Sequence, residues 1–116
     1  MSDNVTPRGL ELYVVLNGDM PTVKCSGRVV AGVSDRLYRE VSALIPNSKR
    51  IVLDFTDVTH MDSSGLGTLV RLYVSAKSAG AVIELMNPGK SIRHLLGITH
   101  MMQVFQTVGE NGIRMG

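Results

Sequence analysis

Asp62, Ser63, Ser64, Gly65 and Gly67 fall together in the stretch THMDSSGLGTLV, residues 59–70. One carboxylate, two adjacent hydroxyls and two glycines in so short a span point to three chemistries. The first is capping: a helix begins with backbone N–H groups that lack partners, and Asp or Ser side chains accept from them. The second is a phosphate cradle, where glycines let the backbone approach an anion. The third is a hydroxyl set out to receive a phosphoryl group.

The phosphate cradle fits poorly. The glycines are spaced G-x-G, no G-x-x-x-x-G-K-[ST] run exists, and a dinucleotide fingerprint would need glycine where Val70 stands. Covalent catalysis fits no better, because a nucleophile elbow around Ser64 would need glycines where Asp62 and Leu66 are. His60, His94 and His100 have neither triad nor H-x-x-x-H spacing. No bound nucleotide, metal, cofactor or catalytic residue is expected. Capping and a modifiable hydroxyl both remain.

Composition narrows the class further. The 116 residues fit one domain that can fold without disulfides or a structural metal. Net charge is +2 with the basic residues scattered, and there are three tyrosines, two phenylalanines and no tryptophan. Nucleic-acid binding therefore lacks both its electrostatic stripe and its stacking platform. The single cysteine, Cys25, forms no internal disulfide and alternates with polar neighbours in TVKCSG, as a buried strand residue does. No apolar run is long enough to span a bilayer, and MSDNVTPRG has no signal-peptide core, so a cytoplasmic protein without direct membrane insertion is expected.

The elements that must position the serine pair follow from periodicity. LELYVVL (10–16) and TVKCSG (22–27) flank an Asn-Gly turn and predict a hairpin. In 34–44, Leu37, Val41 and Leu44 share a helical face, with Ser34 or Asp35 as the cap and Pro46 beyond the end. RIVLDF (50–55) is apolar enough to predict a central strand covered on both faces. Leu66, Leu69, Val70 and Tyr73 mark the helix that the serine pair opens, and Gly80 its stop. A strand at 81–86, a short helix around Ile92, Leu95 and Leu96, and a strand at 103–108 complete the chain. The order β-β-α-β-α-β-α-β predicts an α/β fold: one mixed sheet of about five strands packed against helices. The domain is expected over 9–108, with 1–8 and 109–116 as loose termini. A receiver domain, in which Asp54 would be the phosphoacceptor, should open with a βα unit and not a hairpin. Asp54 and Asp57 read as strand-end hydrogen-bonding or turn residues.

The segment IVLDFTDVTHMDSSGLGTLV, together with IELMNPGKSIRHLLGIT, the element order and the length, resembles the STAS family. The likeness is to its anti-sigma factor antagonists in particular. That resemblance implies a binding adaptor and not an enzyme. Its partner would be an anti-sigma factor that is also a serine kinase and holds the ATP, and binding it would free a sigma factor for transcription. Phosphorylation of Ser64, or alternatively Ser63, would end the association, and a metal-dependent serine phosphatase would reset it. Asp62, Ser63, Ser64, Gly65 and Gly67, with His60 and Arg28, are the implied partner-binding residues. One departure stands out: Gly27-Arg28-Val29-Val30 occupies the place where many antagonists read G-E-L-D. A basic and apolar replacement there implies altered partner choice. A stressosome-type scaffold, or a STAS subunit of a transport system without a phospho-switch, is the alternative.

Overall fold

Leu10, Leu12 and Val14 turn one way along the first strand, while Glu11, Tyr13 and Val15 turn the other, as a strand with one covered face requires. In a computed structural model, which describes residues 9–98, 105–108 and 112–115, this strand β1 (Leu10–Val15) forms an antiparallel hairpin with β2 (Thr22–Val29). The Asn-Gly turn forms as its residues dictate, with Gly18 at φ +62 and Met20 donating to the Asn17 carbonyl at 3.0 Å. Helix α1 (Ser34–Ser42) follows, then a single 3-10 turn at Ile45–Asn47 that carries Pro46. Val33 takes the N-cap position of α1 and makes no side-chain cap. Neither Ser34 nor Asp35 caps it, because Ser34 is drawn into the core and Asp35 lies inside the first turn.

Strand β3 (Arg50–Met61) runs parallel to both β2 and β4 (Val82–Met86), with α2 (Ser63–Ser78) as the crossover. Ala79 and Gly80, the latter at φ +77, end α2 where the sequence placed its stop. Helix α3 (Lys90–Ile98) comes next. The mixed sheet of β1–β4 with three helices, in the order β-β-α-β-α-β-α, is the architecture expected from periodicity. Two short strands, β5 (Phe105–Val108) and β6 (Gly112–Met115), extend it, and the spatial order is β1-β2-β3-β4-β6-β5. The strand count therefore departs from about five. Part of the tail expected to be loose, Gly112–Met115, pairs antiparallel with β4 and β5. Residues 1–8 lie outside the described residues, as do 103–104 of the strand expected at 103–108.

Leu10, Val23, Cys25, Leu37, Val41, Ile51, Leu53, Phe55, Leu69, Leu72, Ile83, Leu85, Ile92 and Leu96 belong to one buried cluster between the sheet and the helices. Burial along β3 alternates. Ile51, Leu53 and Phe55 are buried, whereas Val52 and Asp54 are half-exposed. The expectation of cover on both faces is thus corrected: the helices pack on one face only. On the other face the buried Glu84 is held by Arg50 at 3.0 Å.

Candidate functional site

The site is made where β3 outruns β4. Only Arg50–Asp54 pair with β4, and beyond Asp54 the strand continues along β2 through two register shifts. Asp54 Oδ1 fixes the point of departure, accepting from the Thr56 backbone N–H at 3.0 Å and from its hydroxyl at 2.6 Å. Asn87 Nδ2 donates to that hydroxyl oxygen at 3.0 Å. Asp54 is therefore a hydrogen-bonding residue within β3, and the expectation that it ends the strand is corrected, because β3 runs on along β2 to Met61. The shifted register brings Arg28 beside His60 and Val29 beside Met61, so the ends of β2 and β3 lie together directly before α2.

Asp62 is the N-cap of α2. Its Oδ1 accepts from the backbone N–H groups of Ser64 at 2.9 Å and Gly65 at 3.1 Å. Its Oδ2 accepts from Ala31 N–H at 3.0 Å, in the chain leaving β2. The Ala31 donor holds the Asp62 carboxyl below its ordinary value; loss of hydration opposes it less strongly, and the Gly65 and Ser64 donors add to the lowering. Ser63 and Ser64 occupy the first two helical positions and both are exposed. Ser63 is not a cap; Asp62 has taken that role.

The two glycines differ. Gly65 is buried, and a Cβ there would run into the Val29 carbonyl oxygen and the Met61 side chain. Its lack of a side chain lets the first turn of α2 pack onto the ends of β2 and β3. Gly67 is exposed with open space around it. Gly67, and not Gly65, keeps the outer surface low.

His60 and Arg28 are exposed. The Thr59 hydroxyl donates to the Gly27 carbonyl at 3.1 Å, so His60 Nδ1, 2.9 Å from Thr59 Oγ1, is the donor in that pair. All seven residues expected to bind a partner therefore lie at one end of the molecule, on the ends of β2 and β3 and the start of α2. Among the described residues, no three His, Cys, Asp or Glu side chains gather as a metal site.

Sequence reasoning missed a neighbouring feature. A cleft of about 410 Å³ lies between the start of α1 and the first turns of α2, lined by residues that include Gly32, Asp35, Ser64, Gly67, Thr68 and Arg71. Arg71 stacks over the Tyr38 ring at 4.3 Å, and its Nη2 donates to Asp35 Oδ1 at 3.1 Å and to Thr68 Oγ1 at 3.4 Å. Asp35 and Arg71 are far apart in sequence, so no spacing rule joins them. The one available signal was that positions 64, 68 and 71 share a helical face.

Comparison with known proteins identifies the family and the fold. The STAS domain model matches residues 12–111, and the chain belongs to that family. A STAS-domain-containing protein of Pseudomonas aeruginosa is 29% identical over 90 residues, covering 78% of this chain and 89% of that protein. An anti-sigma factor antagonist from Mycobacterium paratuberculosis superposes with a TM-score of 0.73 at 18% identity, covering 84% of each chain. The anti-sigma factor antagonist SpoIIAA in its unphosphorylated form gives 0.68 at 17% identity, over 79% of this chain and 81% of that one. Bacillus SpoIIAA in its phosphorylated form gives 0.67 at 16%, over 87% and 92%. The fold is that of the anti-sigma factor antagonists. No helix among the described residues is long and apolar enough to cross a membrane.

Proposed function

We propose that this chain is a cytoplasmic, phosphorylation-switched adaptor that binds an anti-sigma factor with serine kinase activity and so frees a sigma factor. The observation that carries the reading is the placement of Ser64: exposed, second in α2, with its backbone N–H already held by Asp62. The partner's surface rests on Asp62, Ser63, Ser64 and Gly67, with His60 and Arg28 alongside and Gly65 beneath. The partner holds the ATP, phosphorylates Ser64, and is released; a metal-dependent serine phosphatase restores the binding form. The domain of residues 9–108 acts by binding and performs no catalysis.

The physics suits a switch of association and not of fold. The start of a helix tolerates an anion because its N–H groups and dipole favour negative charge. A phosphoserine brings about −1.5 to −2 charges, comparable to the +2 of the whole chain but concentrated at one exposed point. Hydration and repulsion at a docking surface then oppose binding, and each ~1.4 kcal/mol lost weakens it tenfold. That SpoIIAA, of the same fold, exists in both phosphorylated and unphosphorylated forms supports the reading.

One observation favours a second reading. Exposed Arg28, beside His60, puts a cation where many antagonists carry acid. A scaffold or transport-system STAS subunit with a different partner and no phospho-switch would accommodate it. The deciding experiment incubates the protein with a serine kinase that binds it, plus ATP, and maps the product by mass spectrometry. Modification of Ser64 supports the switch. Stable binding with no modification, or modification elsewhere, removes it.

A further inference from the structure

The cleft that Ser64 lines also holds a cation, Arg71. Arg71 lies two helical turns after Ser64 on the same face of α2, about 10 Å along the axis. Long side chains on a helix lean toward its N-terminus, which carries the Arg71 guanidinium back over Thr68. Between Arg71 and Ser64 the cleft is lined by Gly67 and Gly32, so no side chain at those positions stands in the way. In the unmodified protein the guanidinium is kept in place by Tyr38 at 4.3 Å and by Asp35 at 3.1 Å.

Resting on the reading of Ser64 as the modified hydroxyl, we infer that Arg71 is the internal receptor for the Ser64 phosphate. On modification its guanidinium transfers from Asp35 to the phosphate. The Asp35–Arg71 pair is open to water, with side chains 79% and 52% exposed, and exposed pairs of this kind contribute little. A phosphate offers more charge and a bidentate match to the guanidinium fork. Tyr38 can remain stacked under Arg71 during the exchange, because a guanidinium uses its face for the ring and its edge for the anion.

The exchange has a consequence for the surface. Before modification the Asp35–Arg71 pair is neutral. Afterwards Arg71 offsets part of the phosphate charge, and Asp35, in the first turn of α1, stands without its partner. The changed surface therefore extends from the start of α2 to the start of α1, although only Ser64 has been altered.

The test installs phosphoserine at position 64 during synthesis, so it needs no kinase, and follows the phosphate by ³¹P NMR titration. In the wild-type chain Arg71 lowers the second phosphate pKa. Arg71→Ala should raise it by about half a unit, Arg71→Lys should restore part of the shift, and Asp35→Asn should lower it further. The difference between wild type and Arg71→Ala should persist at about 0.5 M salt, because a contact pair is screened far less than a distant one. Phosphoserine at position 63 serves as the control and should not respond to Arg71. Equal titrations for wild type and Arg71→Ala overturn the inference, as does a difference that salt abolishes. Either result would leave the proposed switch intact if a bound kinase still modifies Ser64. Conversely, an Arg71-dependent titration alongside a kinase that binds but leaves Ser64 unmodified would remove the switch alone.

Discussion

Asp62 and Ala31 are joined by a hydrogen bond of 3.0 Å from the Ala31 backbone N–H to the Asp62 carboxylate, linking the start of α2 to the chain leaving β2. The same carboxylate caps the helix through Ser64 and Gly65. One side chain thus fixes both walls of the region that presents Ser64, and a loss there removes three accepted hydrogen bonds together. Asp62→Ala should destabilise the protein by about 1–2 kcal/mol. For a domain of this size, that lowers Tm by roughly 4–8 °C. Asp62→Asn, which retains a carbonyl acceptor, should recover part of the loss. Thermal and urea denaturation measure both.

The Asp62 interaction also predicts a pH dependence. The carboxyl titrates below its ordinary value of 3.8 in the folded state. A depressed folded pKa means that the unfolded chain binds the proton first, so the stabilisation is complete above the ordinary carboxylate range and is lost as pH falls through it. The stability gap between wild type and Asp62→Asn should be constant near neutrality and shrink on acidification below about pH 4. A gap that stays flat down to pH 2 would contradict the hydrogen-bonding account.

Gly65 and Gly67 give opposite expectations from the same substitution. Gly65→Ala forces a methyl against the Val29 carbonyl and Met61, and overpacking of this kind costs about 1–3 kcal/mol. Gly67→Ala meets open space inside a helix, where alanine is better than glycine by about 0.5–1 kcal/mol. The first variant should melt lower and the second higher. If the docking surface includes Gly67, that more stable variant should nevertheless bind the partner less tightly.

Much of this arrangement was legible in residue order, and the remainder fails for identifiable reasons. Periodicity located the hairpin, α1, α2 and β4, because each carries a regular apolar face. β3 was expected to stop at Phe55, but its polar second half TDVTHM is held by β2 through register shifts that erase any period of two. β6 was missed because GIRM is short, and its pairing with the β4 edge is non-local. The serine pair was recognisable from its motif, and Asp62 as one of several caps. The Asp35–Tyr38–Arg71 cluster was not, since tertiary packing alone unites α1 with α2.

Cys25 yields a prediction about the core. It is 2% exposed, and burial, reinforced by the negative charge of Asp54, pushes its thiol up to about 12 from an ordinary 9.0. The thiolate is the reactive form, so alkylating reagents should modify the native protein only through opening of the fold. Because the folded pKa is raised, stability is unaffected below about pH 9 and falls as pH rises through the interval up to about 12. Urea midpoints should therefore fall between pH 8.5 and 10.5, and Cys25→Ala should reduce that fall. An equal fall in the variant would assign the alkaline sensitivity to other groups.

Ser64 separates charge from chemistry in the proposed switch. Ser64→Ala removes the hydroxyl but leaves the backbone N–H that Asp62 accepts, so fold and partner binding should survive while phosphate transfer ceases. Ser64→Asp adds one negative charge at the second helical position, where the dipole favours it by about 0.3–1 kcal/mol. That variant should keep or slightly raise Tm. Its affinity for a partner that binds the unmodified surface should nevertheless fall, by about tenfold or more if repulsion reaches ~1.4 kcal/mol. Calorimetric titration alongside thermal melting measures the two effects separately. Loss of binding with an unchanged melt locates the switch at the docking surface. Loss of both together would mean that charge at Ser64 acts by disrupting α2, and the proposed mechanism would then be wrong.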